Sequence, residues 1–219
     1  MKKYFLIISL LCIISSCCQN NNTQNVKQQI KIACIGNSIT EGHGISDQSK
    51  YTWPVQLNKI LGDEYIVENC GRSGTTLQKE GDYTYWTTKE FSNAILLNPD
   101  IIVVKLGTND SKPQNWNQER FKSDYQSLID TLKSLKSNPR IIICNPAPAF
   151  GNAWAISDSC IVNGIIPIIE NIAKQNNLEL IDFHSELIND GDNFPDSIHP
   201  NDKEAEKIAQ IVAKKILNK

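Results

Sequence analysis

The sequence has little of several features that mark common classes of protein. It holds three histidines, a single methionine and no run of basic residues, and 22 lysines and arginines stand against 24 aspartates and glutamates. A mildly acidic chain without a basic cluster is a poor ligand for polyanions, so we expect no nucleic-acid partner. Its cysteines and histidines are not spaced like the ligands of a zinc site, so we expect no metal. With 40% apolar residues, the 219-residue chain can still bury a core.

The N-terminal segment predicts export. Lys2 and Lys3 precede an apolar stretch at residues 4–14, which is shorter than the roughly 20 residues that span a bilayer. The sequence Ile14-Ser15-Ser16-Cys17 resembles a bacterial lipoprotein box, in which the cysteine becomes lipid-modified. We therefore expect an exported lipoprotein anchored at Cys17, on the periplasmic or the cell-surface face of its membrane. Lipidation at Cys18 and an ordinary cleaved signal are the alternatives.

Three segments follow from this pattern: a signal peptide at 1–16, a lipidated cysteine and flexible tether at 17–29, and one folded domain at 30–219. The tether is rich in Asn and Gln and has no apolar periodicity. Cys34, Cys70 and Cys144 lie in apolar runs, where a free cysteine is usually a small buried hydrophobe.

Apolar runs alternate with helical patterns throughout the folded domain. This alternation predicts a three-layer α/β/α sandwich around a five-stranded parallel sheet, an α/β fold of flavodoxin-like type. Residues 101–106 are almost continuously apolar, as expected for a strand covered on both faces. The predicted strands are 30–35, 65–70, 101–106, 140–144 and 178–183, and the predicted helices are 53–61, 88–97, 118–135, 161–175 and 201–217.

Candidate site residues follow three of these strands, at the sheet edge where such folds bind ligands. Ser38 follows the first strand, where it is either a helix cap or a nucleophile. Asn109 follows the third strand, and its amide can donate to a developing oxyanion or form an Asx turn. Gly74 lies in a glycine-containing turn after the second strand, where a bare backbone N–H can approach a ligand.

A candidate base for Ser38 lies near the C-terminus. Asp196 and His199 are three residues apart in a loop before the last helix, so one short segment can supply both a base and its orienting carboxylate. Asp182 and His184 form a less favoured alternative pair. His43 follows the candidate nucleophile closely and could line the same pocket.

Four sequence blocks, in order at these strand ends, resemble those of the SGNH (GDSL-type) esterase and lipase family, and the resemblance covers the chain from about Ile30 onward. One position departs from the family, because Asn37 stands where an aspartate is usual. The blocks are Gly36-Asn37-Ser38, Gly74, Gly107-Thr108-Asn109-Asp110 and the pair Asp196 and His199.

This resemblance implies a role for each residue and an esterase that uses no metal and no organic cofactor. Ser38 would be the nucleophile, His199 the base and Asp196 its partner. The backbone N–H groups of Ser38 and Gly74 and the amide of Asn109 would form the oxyanion hole.

The substrate is indicated by aromatic residues in the loops, which suit the faces of sugars. Trp116, Tyr85 and Trp154 are the candidate substrate-binding residues. The run from Gly107 to Pro113 also resembles a carbohydrate and sialate O-acetylesterase branch of the family. We therefore expect a small-molecule or glycan ester as substrate and hydrolysis of O-acetyl groups. A lysophospholipase- or thioesterase-like acylhydrolase and a non-catalytic carbohydrate-binding lipoprotein are the alternatives.

Overall fold

A computed structural model describes residues 28–218 of the chain. The predicted signal peptide, Cys17 and most of the tether lie outside the described residues. Five parallel strands form one sheet in the order β2-β1-β3-β4-β5. The strands are β1 Ile30–Gly36, β2 Tyr65–Gly71, β3 Ile101–Lys105, β4 Arg140–Asn145 and β5 Glu179–Asp182.

The α-helices cover both faces of the sheet, which confirms the predicted three-layer α/β/α architecture. Apolar residues of α4, α5 and α7 pack on one face, and those of α3, α8 and α9 pack on the other. The helices are α1 Ser38–Glu41, α2 Gln48–Tyr51, α3 Trp53–Leu61, α4 Lys89–Leu96, α5 Gln118–Lys133, α6 Asp158–Cys160, α7 Ile166–Asn176, α8 Phe183–Leu187 and α9 Asp202–Leu217.

The register of the sheet brings three strand ends level with one another. Gly36 at the end of β1 pairs with Gly71 at the end of β2 and with Lys105 at the end of β3. All five residues of β3 are buried, as expected for a central parallel strand. The loops after β1, β2 and β3 therefore begin side by side at the carboxyl edge of the sheet.

Local sequence signals explain where two of the helices begin. The Asn201 side chain accepts a hydrogen bond from the backbone N–H of Glu204 at 3.0 Å and so caps the start of α9. The Glu204 carboxylate accepts from the Asn193 amide instead of reaching back to the cap. The predicted helix 161–175 is divided into a π-helical turn, Ile161–Ile165, and α7. Pro167 in the first turn of α7 explains the division, because proline has no N–H to donate to the preceding turn.

The segment Ala153–Asn176 is long and apolar enough, by length and composition alone, to cross a membrane. Its apolar residues Ile161, Ile165 and Ile169 are nevertheless buried in the core against the sheet.

The cysteines of the described region behave as predicted. Cys34, Cys70 and Cys144 are buried and free, and Cys160 is half-buried and free. Burial raises the pKa of Cys144 to about 12 and that of Cys160 to about 11, so both are held as thiols at neutral pH.

Lys105 is the unusual residue of the central strand. It is fully buried, and within the described part of the chain its amino group has no hydrogen-bond partner. Burial lowers its pKa from 10.5 to about 8. A buried and unpaired ammonium group costs folding free energy, because water solvates it better in the unfolded chain.

Lys105→Met should therefore stabilise the fold at neutral pH, by about 3 kcal/mol at most. The penalty of the lysine is complete below its folded pKa of about 8 and disappears as pH rises toward the unfolded value of 10.5. The gain in the free energy of unfolding should thus be larger at pH 7 than at pH 10, as measured by denaturant titration. Lys122→Met on the exposed face of α5 is the matched control and should change little. A gain at Lys105 that does not depend on pH would contradict this account.

Candidate active site

Ser38 is presented by a tight turn between β1 and α1. The side chain of Asn37 caps α1 by accepting a hydrogen bond from the backbone N–H of Ile39 at 3.2 Å. A side chain at Gly36 would collide with Thr40, so the turn requires glycine at this position. Asn37 thus holds the start of α1 through this hydrogen bond. The turn places Ser38 at the first position of α1, at the carboxyl end of β1.

One hydrogen bond joins Ser38 to the loop near the C-terminus, and a second links two residues within that loop. The Ser38 hydroxyl lies 2.8 Å from Nε2 of His199, and Nδ1 of His199 lies 2.6 Å from Oδ2 of Asp196. Oδ1 of Asp196 also accepts from the backbone N–H groups of Ile198 at 3.0 Å and His199 at 2.7 Å. The structure therefore brings the three predicted residues into one hydrogen-bonded chain, with the carboxylate fixed by its own loop.

Burial and hydrogen bonding set the charges of Asp196 and His199. Partial burial on its own would raise the pKa of Asp196, but the hydrogen bonds from His199 and Ile198 outweigh it and lower that pKa to about 2. Burial lowers the pKa of His199 below its ordinary value of 6.5, although Asp196 opposes the shift. At neutral pH the imidazole is thus neutral and able to accept a proton, and the carboxylate is ionised.

The alternative histidine pair does not reach Ser38. Nε2 of His184 lies 3.1 Å from the Asp158 carboxylate, and Asp182 caps α8 by accepting from the backbone N–H of Ser185. His43 does line the cleft, as expected, and its ring centroid lies 4.4 Å from that of His199.

The two remaining candidates for an oxyanion hole lie beside Ser38 in the same cleft. Gly74 has a φ of 79°, a conformation that favours glycine. The side-chain amide of Asn109 donates to the Thr75 carbonyl at 3.0 Å, and the Asn109 carbonyl accepts from the Asn115 amide at 3.0 Å. Since a side-chain amide has two N–H donors, the second can serve the cleft that Asn109 lines.

Two carboxylates that had no predicted role hold the loop of Gly74 in place. Glu41, on the same helix as Ser38, accepts from the backbone N–H of Ser73 at 2.9 Å and from the Ser73 hydroxyl. Asp110 accepts from the backbone N–H groups of Leu77 and Gln78, each at 2.9 Å. Burial raises the pKa of Asp110 to about 6. The donors of the cleft are therefore tied to the helix of Ser38 and to the loop of Asn109.

The cleft itself is small, with a volume of about 250 Å³. Trp154 forms part of its wall with 60% of its surface exposed, and adopts a left-handed backbone conformation with φ 60°. Such a conformation is uncommon for a residue other than glycine and is typical of functional loops. The residues that line the cleft are Ser38, His43, Ser73, Gly74, Asn109, Lys112, Trp154, Ile156 and His199.

For Tyr85 and Trp116 the structure corrects the expectation of substrate contact. Tyr85 is 1% exposed, and its hydroxyl donates to the Cys70 carbonyl at 2.6 Å inside the core. Trp116 packs against Gly164, where even a methyl group would lie 2.5 Å from the indole, and against Phe121. Tyr85 is thus a core residue, Trp116 is half-buried against the core, and of the three aromatic candidates Trp154 alone lines the cleft.

The fold and the hydrogen-bonded serine, histidine and aspartate are typical of serine-dependent ester hydrolases. The chain belongs to the GDSL-like lipase/acylhydrolase family, whose model matches residues 34–205. The resemblance seen in the sequence is thereby confirmed.

The chain is also similar in sequence to a characterised esterase. An acetylxylan esterase from Xylanibacter ruminicola is 42% identical over 203 residues, which cover 84% of this chain and 42% of that protein. The present chain therefore spans less than half the length of that relative.

Two solved structures share the fold. A lipase/acylhydrolase from Enterococcus faecalis matches with a TM-score of 0.70 at 22% identity, over 86% of this chain and 95% of the other. An acetyl xylan esterase matches with a TM-score of 0.69 at 21% identity, over 86% of this chain and all of the other.

The electrostatics of the site predict how ester hydrolysis depends on pH. Because His199 must be neutral to act as a base, kcat/KM should rise with pH through a single midpoint below 6.5 and then stay level at neutral pH. Asp196, with a pKa of about 2, should contribute no midpoint in this range. The measurement is a pH–rate profile with nitrophenyl acetate. A midpoint above 7, or the absence of an acid limb, would contradict the assigned base.

Proposed function

We propose that the chain is a serine esterase whose nucleophile is Ser38. The observation that carries this proposal is the continuous hydrogen-bonded chain from Ser38 through His199 to Asp196, which opens into the cleft. A serine hydroxyl is a weak nucleophile until a neighbouring base takes its proton, and a neutral imidazole at 2.8 Å meets that need.

The mechanism follows from these positions. The Ser38 oxygen attacks the ester carbonyl while its proton passes to Nε2 of His199, and Asp196 stabilises the imidazolium that forms. The N–H groups of Ser38, Gly74 and Asn109 stabilise the oxyanion. The imidazolium then protonates the departing alcohol, which leaves an acyl-serine. A water molecule, deprotonated by His199, hydrolyses the acyl-serine and releases the acid.

The substrate we propose is an O-acetyl ester on a carbohydrate. The cleft of about 250 Å³ is below the roughly 300–1,000 Å³ usual for sites that enclose a larger ligand, so it suits an acetyl group better than a long acyl chain. The exposed indole of Trp154 at the rim offers a flat apolar face to a sugar ring. The acetylxylan esterase relative supports the same substrate class.

We further propose that the protein is exported and anchored to a membrane through a lipid on Cys17. The support is the sequence alone: basic residues, a short apolar stretch and the lipoprotein-like box that ends at Cys17. The tether would then hold the domain at the membrane surface, where polymeric glycans are accessible.

Acetate release from acetylated xylan tests the proposal directly. The wild-type chain should release acetate, and Ser38→Ala should reduce the rate by about 10³-fold or more, because the acyl-serine cannot form. Ser123→Ala, an exposed serine on α5, is the matched control and should retain full activity.

A series of nitrophenyl acetate, butyrate and octanoate tests the substrate class in the same preparation. The value of kcat/KM should fall steeply as the acyl chain lengthens, because a cleft of about 250 Å³ suits an acetyl group better than a long chain. A preference for octanoate would favour a lipase-like enzyme and contradict the O-acetylesterase proposal. Equal rates for the wild type and Ser38→Ala on every ester would contradict the assigned nucleophile.

A further inference from the structure

His43 lies in the cleft, yet the proposed mechanism gives it no task. Its ring centroid is 4.4 Å from that of His199, and Trp154 packs edge-on against it at 5.9 Å. One possible ligand atom from each of His43, Asp196 and His199 lies within 4.8 Å of the other two. Two imidazoles and a carboxylate therefore converge on one point at the mouth of the site.

The backbone explains why His43 is held there. Helix α1 ends at Gly42, which has a φ of 102°, and the backbone N–H of His43 donates to the Ser38 carbonyl at 2.9 Å. Gly44 follows with a φ of 79°, and a β-carbon built there would lie 3.8 Å from that of His199. The chain thus turns sharply after the nucleophile's helix and runs against His199.

The two imidazoles and the carboxylate of His43, His199 and Asp196 are ligands that late first-row divalent ions prefer. Zn²⁺ accepts imidazole nitrogen at about 2.0–2.1 Å and carboxylate oxygen at about 2.0–2.2 Å, and three protein ligands with one open position are a common set. Small side-chain movements would bring atoms now within 4.8 Å to the spacing that such an ion requires. His43 is exposed and Asp196 is partly exposed, so an ion can enter from solvent.

We propose that His43, Asp196 and His199 form a binding site for a divalent transition-metal ion of the Zn²⁺ class, and that the bound ion switches the esterase off. The binding site stands on the geometry alone, whereas the inhibition rests on the proposed function of Ser38.

Inhibition follows because both nitrogens of His199 are already in use. An ion on Nε2 removes the acceptor for the Ser38 proton. An ion on Nδ1 displaces the hydrogen bond to Asp196, and the ring proton moves to Nε2, which then cannot accept a proton from Ser38. Either coordination leaves the serine without a base.

The test uses the full chain with Zn²⁺ as the inhibitor and Co²⁺ as a spectroscopic probe. Co²⁺ should give visible absorption bands typical of low coordination number, and calorimetry should detect a Zn²⁺ site. The His43→Gln variant should bind Zn²⁺ about tenfold more weakly or worse, comparable to the loss of an important metal-site contact. His184→Gln removes a histidine that faces Asp158 outside the cleft, and is the matched control. If Zn²⁺ binds elsewhere, for example at cysteines, both variants should bind it equally. If it binds at the proposed site, only His43→Gln should lose affinity.

Hydrolysis of nitrophenyl acetate supplies the second readout, normalised to each variant's own rate without metal. Zn²⁺ should inhibit the wild type and His184→Gln equally, His43→Gln about tenfold less, and a chelator should restore activity. Equal Zn²⁺ affinity in wild type and His43→Gln would overturn the proposed site. Loss of binding in His43→Gln without any change in inhibition would overturn the switch. A chain that binds Zn²⁺ through His43 but hydrolyses no ester would refute the proposed function and leave the metal site standing.

Discussion

The hydrogen bond between Ser38 and His199 is the interaction on which the rest of the site depends. It joins residues 161 positions apart, one in the turn after the first strand and the other in the loop before the last helix. The bond depends on elements at opposite ends of the sequence, because β1 positions the serine while α9 and its cap fix the end of the histidine loop. The parallel topology meets this requirement by placing the ends of β1, β2 and β3 at one level.

Burial and hydrogen bonding act in opposite directions on the two ionisable members of the site. Burial favours a neutral imidazole, which is the form that a base needs. The same environment would also favour a neutral Asp196, but the N–H donors of its own loop keep the carboxylate ionised. One short turn of chain therefore supplies both the base and the fixed negative charge that stabilises it. Glu41 extends this arrangement, because it ties the loop of Gly74 to the helix that carries Ser38.

The sequence was most informative where a feature depends on local pattern. Apolar periodicity located all five strands to within a few residues, because a strand or helix is read from neighbouring residues in the sequence. Tyr85 and Trp116 were misplaced because the sequence does not reveal whether an aromatic ring in a loop turns toward solvent or toward the core. Glu41 was missed for a related reason, since its partner Ser73 becomes a neighbour through the β1–β2 register.

The central claim is that this structure makes one serine hydroxyl far more reactive than all others, and active-site labelling tests it most directly. A fluorophosphonate probe reacts when a serine oxygen attacks phosphorus and fluoride leaves, whatever the natural substrate is. Mass spectrometry of the digested protein should find a single adduct, on the peptide that contains Ser38, and His199→Ala should abolish it while the fold persists by circular dichroism. An unlabelled Ser38 in the folded wild type, or labelling that survives the loss of His199, would contradict the account.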